Sequence, residues 1–161
     1  MNLAALLFDL ARRQPDLPAV NDSIHAWSYR EFASRISCLA GGLVSRGAQS
    51  GDRVMLCMEN CAEFLECLFA CWAAGLCAVP VNGRLHAREV EYIALDCRAR
   101  LLLATPGLAD GLAGLEQAVE TLSAIISTRS ADYTALMSGD ALMRPVGARV
   151  AVLYERHDGQ T

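Results

Sequence analysis

The sequence has no block of basic residues, and its formal net charge is −4. This argues against a nucleic-acid groove or an anionic membrane surface as partner. No apolar run reaches membrane-spanning length, because Glu63, Glu66 or Gly75 breaks each of the longest ones. A basic n-region is also missing. Met1-Asn2-Leu3 leads straight into a helical pattern and Asp9 interrupts the apolar stretch, so no signal peptide is read and the cytoplasm is the expected compartment. There is no Cys-x-x-Cys pair, no internal repeat and no low-complexity tract.

The seven cysteines, Cys38, Cys57, Cys61, Cys67, Cys71, Cys77 and Cys97, are odd in number. Cys67 and Cys71 would share a helix face, as two ligands of a soft metal do, but no histidine lies at ligand spacing nearby. All seven sit among Leu, Ala, Phe or Val, so they are read as free thiols serving as small core residues in a reducing compartment.

What is present suffices for one folded domain: 161 residues, 53% hydrophobic and 20% charged. Leu3, Leu6, Leu7 and Leu10 predict an amphipathic helix over 2–13, stopped by Pro15 and Pro18. Ala19-Val20 and Ile24 to Trp27 flank Asn21-Asp22-Ser23 as a small hairpin. Ser28-x-x-Glu31 is a capping box. It opens a helix with a buried stripe of Phe32, Ile36, Leu39, Leu43 and Val44, stopped by Gly47.

The pattern then alternates. Strands are predicted at Val54–Met58, Cys77–Val81, Leu101–Ala104, Ala124–Ser127 and Val150–Tyr154. Helices are predicted at Cys61–Ala74, Arg88–Cys97 and Leu108–Leu122, with a short one near Tyr133–Met137 inside a polar connection over 128–147. Strands that are apolar throughout and separated by helices predict an α/β fold, a mostly parallel sheet covered on both faces. Gly51-Asp52 and Asn82-Gly83 read as turns, and Pro80 should sit where the ladder needs no donor.

An ordered set of landmarks resembles the acyl-activating, adenylate-forming superfamily, the AMP-forming acyl-CoA synthetases. They are Trp27-Ser28-Tyr29-Arg30-Glu31-Phe32, Gly51-Asp52-Arg53-Val54, Asn60, Glu63-Phe64, Phe69-Ala70, Ala74-Gly75, Ala78-Val79-Pro80-Val81-Asn82 with Arg84-Leu85, and Glu89-Val90-Glu91-Tyr92-Ile93. The likeness covers about residues 1–105 well and thins afterwards. It implies that residues 1–154 are an incomplete N-terminal subdomain whose motifs are scaffold.

Members of that superfamily adenylate a carboxylic acid with ATP and Mg²⁺ and then pass the acyl group to coenzyme A. They use a Gly/Ser/Thr-rich loop with a lysine to cradle phosphates. The resemblance places that loop after a strand of the type Val150-Ala151-Val152-Leu153-Tyr154. Here Glu155-Arg156-His157-Asp158-Gly159-Gln160-Thr161 follows instead, with one glycine, no lysine and two acids. His157 and Asp158 read as polar tail rather than as a catalytic pair.

The tail has a second reading. Written TAC GAG CGG CAC GAC GGG CAG ACC from Tyr154 and read one base later, it encodes Thr-Ser-Gly-Thr-Thr-Gly-Arg and then Pro. These codons are one choice among synonyms, and they make 155–161 a frameshifted, non-family tail. The expectation is therefore a truncated synthetase of fatty-acid-like substrate class, inactive alone and poorly soluble or loosely folded. No catalytic, cofactor-binding or metal-binding residue is expected within it. Its partners would be those of the full-length family (a small carboxylic acid, ATP and CoA) together with the remaining part of the synthetase. The alternative is a noncatalytic interaction module derived from the same fold.

Overall fold

The computed structural model describes residues 2–142, 145 and 146, and the backbone of 151 and 152. Helix α1 (Leu3–Arg13) opens the chain, with the Asn2 side chain accepting from the Ala4 N–H at 2.9 Å. An antiparallel hairpin follows, β1 (Pro18–Asn21) with β2 (Ala26–Ser28). The capping box is formed: the Glu31 carboxylate accepts from the Ser28 N–H at 2.8 Å, and the Ser28 hydroxyl accepts from the Glu31 N–H. Helix α2 (Tyr29–Ser45) starts there and ends before Gly47, which has φ +87°.

The remaining strands are β3 (Arg53–Met58), β4 (Cys77–Asn82), β5 (Leu101–Ala104), β6 (Ala124–Ser127) and β7 (Ala151–Val152). They form one sheet in the order β6-β5-β3-β4-β7, parallel at every described pairing. Helices α3 (Ala62–Ala73), α4 (Ala87–Cys97), α5 (Pro106–Gly111), α6 (Leu115–Ala118) and α7 (Ala131–Met137) lie between the strands in sequence. The pairing of β4 with β7 is described at Cys77 and Ala78, and Pro80 stands opposite Leu56 of β3. Val150, Leu153, Tyr154 and the tail 155–161 lie outside the described residues, and with them the expected domain boundary and the codon reading.

Because side chains alternate along a strand, β3 sends Val54, Leu56 and Met58 to one face and Met55 and Cys57 to the other. The first face is covered by α1, α2, α3 and α7, the second by α4 and the segment containing α5 and α6. Cys38, Cys57, Cys61, Cys67, Cys71 and Cys97 are free thiols, and Cys57, Cys67, Cys71 and Cys77 are buried.

The structure corrects three local expectations. Val44 lies outside the α2 stripe, 41% exposed. The helix expected over 108–122 is two short ones, because Gly114 takes φ +91° and caps α6. The hairpin loop runs from Asp22 to His25 rather than over three residues. Asp22 Oδ1 accepts from the Ile24 and His25 N–H groups at 2.8 and 2.6 Å, which binds amides that a strand would use.

Two contacts fix the layers. A Cβ on Gly42 would stand 2.2 Å from the Leu136 carbonyl oxygen, so α2 meets the end of α7 backbone to backbone. At the amino ends of the strands, the Arg53 guanidinium donates to the carbonyls of Cys97 (2.7 Å), Arg98 (2.9 Å) and Gly51 (3.1 Å). Beside it, the Arg100 N–H donates to the Arg53 carbonyl and the Ser123 N–H to the Arg100 carbonyl.

Candidate functional site at the carboxyl ends of the strands

In parallel sheets, ligands settle outside the carboxyl ends of the strands, where the winding reverses. Here β4 lies on one side of β3 and β5 on the other, so the reversal falls at β3. A cleft of about 510 Å³ opens there, between the ends of β3 and β4. Its rim carries Glu59, Asn60, Asn82 and Arg84, and Phe64 from the first turn of α3 adds an apolar wall.

The rim is shaped by a side-chain turn. Asn82 Oδ1 accepts from the Arg84 N–H at 3.0 Å, and the Asn82 carbonyl accepts from the Leu85 N–H at 3.1 Å. Gly83 packs closely, since a Cβ there would stand 2.7 Å from Leu108 Cδ1 and displace the end of that side chain. Arg84 is exposed and makes no ion pair among the described residues, so its charge is available to a ligand. Glu59 opposes an anion on the same rim.

Below the cleft, α3 buries two acids that the sequence presents only as interruptions of an apolar run. Glu66 is 0% exposed. Its Oε1 lies 2.6 Å from Arg35 Nε, and its Oε2 accepts from the Tyr133 hydroxyl at 2.7 Å and from Arg35 Nη2 at 3.2 Å. The Arg35 guanidinium also stacks 4.4 Å from the Trp27 ring. Cys67 Sγ is 3.5 Å from the Tyr133 oxygen. Burial holds the Tyr133 hydroxyl and the Cys67 thiol well above their ordinary values, and pushes Cys71 up to about 12. These groups stay protonated at neutral pH, so none of them is a ready nucleophile. The sequence signal for this network is two acids three residues apart on a helix that is otherwise apolar.

Residues 7–148 match the model of the AMP-binding enzyme family. The chain belongs to that family. Among AMP-binding enzymes, a feruloyl-CoA synthase of Amycolatopsis sp is 39% identical over 105 residues, which is 65% of this chain and 21% of that protein. The N-terminal domain of FACL13 from Mycobacterium tuberculosis has a TM-score of 0.82 at 25% identity, over 92% of this chain and 39% of that one. The anthranilate CoA ligase AuaEII, solved with anthranoyl-AMP, has a TM-score of 0.85 at 19% identity, over 92% of this chain and 29% of that one. At that identity the second structure supports the fold alone.

The chain thus corresponds to the N-terminal region of acyl-CoA ligases, and it spans about a fifth of the length of the feruloyl-CoA synthase (21%). The expected α/β architecture and the family resemblance are both borne out. No described helix is long and apolar enough to cross a membrane.

Proposed function

We propose that this chain forms the N-terminal part of an ATP-dependent acyl-CoA synthetase and that its 161 residues do not catalyse the reaction by themselves. In the full enzyme a carboxylate oxygen would attack the α-phosphorus of ATP, giving acyl-adenylate and pyrophosphate. The thiol of CoA would then displace AMP to give the thioester. Such charge development needs several donors and cations aimed at the phosphates. The observation that carries the proposal is the strand-end cleft: among the described residues Arg84 is the one cation on its lining, and Glu59 stands on the same rim. We assign Arg84 to a phosphate of ATP or CoA, with the rest of the catalytic set supplied elsewhere in the synthetase. The substrate is proposed to be a fatty-acid-like carboxylic acid, and the compartment the cytoplasm, where ATP and CoA are available.

The test compares the chain with a chimera in which residues 1–154 replace the matching segment of a feruloyl-CoA synthase. The isolated chain should release no pyrophosphate with Mg-ATP and a panel of fatty and aromatic acids, and should show no saturable ATP binding at micromolar levels. The chimera should release pyrophosphate only when an acid is present. Turnover by the isolated chain would overturn the claim that it is inert alone. A folded but inactive chimera would remove the ligase reading and leave the noncatalytic module.

A further inference from the structure

The hairpin loop and the first turn of α3 bring together three metal-ligating side chains that the synthetase reading does not use. One carboxylate oxygen each of Asp22 and Glu63 and one ring nitrogen of His25 lie within 4.8 Å of one another. Asp22 Oδ1 is 3.5 Å from His25 Nδ1, and His25 Nε2 is 4.0 Å from Glu63 Oε1. A tetrahedral ion with bonds of about 2.0–2.2 Å holds its ligands roughly 3.3–3.6 Å apart. A single ion takes one ring nitrogen; with Nδ1 as that ligand the 3.5 Å spacing to Asp22 suits it, and the Nε2 contact with Glu63 is not part of the shell.

The second observation concerns an unmet polar atom. Glu63 Oε2 is buried and has no hydrogen-bond partner among the described residues, and the whole Glu63 side chain is only 6% exposed. Buried polar atoms left unpaired call for a bound water or ion. Asp22 is a prepared ligand. Three backbone N–H groups, from His25, Ile24 and Ala62, donate to its carboxylate and fix its orientation. His25 and Asp22 keep 24% and 26% side-chain exposure, which gives an ion a way in.

Arg129 is the competitor. Its Nε lies 3.3 Å from Glu63 Oε1, and its side chain is 55% exposed. It engages one oxygen of Glu63 and leaves the other. The two carboxylates outnumber the one guanidinium beside them, which favours a cation.

We propose that Asp22, His25 and Glu63 bind one divalent transition-metal ion of the zinc class, with solvent completing its shell. One imidazole with two carboxylates suits Zn²⁺ or Co²⁺ better than Mg²⁺ or Ca²⁺, which prefer all-oxygen shells. The site tethers the hairpin to the start of α3, and it is independent of whether the chain serves a ligase.

The probe is Co²⁺, titrated into the chain and into the chimera described above. Visible absorption and the imidazole ¹⁵N signals are followed, with only three histidines to assign. One equivalent should bind and move the His25 ring signals, without a thiolate-to-cobalt band. His25→Ala should weaken binding by at least about tenfold. Arg129→Gln should tighten it several-fold, which loss of a merely structural ion pair would not do. Unmoved His25 signals, meaning a bound water only, would overturn the proposal. So would a thiolate band placing the ion on cysteine, or undiminished binding in His25→Ala.

Discussion

The two faces of the sheet are held by different chemistry. The face under α4, α5 and α6 is packed by aliphatic and sulfur side chains, among them Met55, Val79, Val90, Ile93, Leu102 and Leu115. The face under α1, α2, α3 and α7 contains the aromatic residues Trp27, Phe32, Trp72 and Tyr133 and, among them, the fully buried Glu66. An aliphatic core constrains volume and pattern, and many packings satisfy it. A buried carboxylate accepts few arrangements, because each oxygen must meet its donor. The first face therefore sets how α2, α3 and α7 sit against one another. The second face chiefly excludes water.

The comparison would break first at Arg35. Arg35→Met leaves the Glu66 carboxylate with Tyr133 and no cation, and should destabilise by about 3–5 kcal/mol, read as a lower urea midpoint. The double variant Arg35→Met, Glu66→Leu should recover most of that loss, since a buried ion pair can give way to apolar residues of similar volume. If the single variant is neutral, the claim that polar pairing organises this face is wrong. A much smaller effect is expected on the other face. Leu102, 0% exposed, should accept Met at a cost below about 1.5 kcal/mol by the same measurement. A loss as large as that of Arg35→Met would erase the distinction between the faces.

The smallest effect is one that acid removes. Backbone N–H groups from His25 and then Ile24 hold Asp22 down at about 2, against an ordinary 3.8. A depressed carboxylate stabilises the fold fully above its unfolded value and loses that contribution as pH falls through the folded one. Wild type should therefore exceed Asp22→Asn in stability above pH 3.8, with the gap closing as pH falls towards about 2. A pH series of denaturation midpoints checks this. A gap that widens in acid would contradict the hydrogen-bond account.

Much of the scaffold was legible because its signals are local. The Ser28–Glu31 box, the glycines at 47 and 51 with φ +87° and +88°, and the apolar runs of β3, β4 and β5 each lie within a few residues. The break at Gly114 was harder, since its neighbours carry helical spacing and only the backbone conformation decides. The first-face network was out of reach. Arg35 and Tyr133 lie 31 and 67 residues from Glu66, and nothing in the sequence says which arginine and which tyrosine will meet it. The strand-end cleft was half legible: Asn82-Gly83 marks a turn, but its position beside the end of β3 follows from parallel pairing.

The Arg53 clasp has a consequence for engineering. It ties the entry of β3 to the exit of α4 through two main-chain carbonyls, those of Cys97 and Arg98, with the Gly51 carbonyl bracing the guanidinium locally, and the neighbouring loops continue the lacing from strand to strand. Extra residues spliced at 51–53 or 98–100 would tear that seam, because carbonyls cannot be re-supplied by choice of side chain. The 83–86 turn, held at two amides by one asparagine, has no such seam. An insertion on that rim would spare the fold and disturb only the Arg84 cleft, whereas the opposite rim is the one on which the scaffold depends.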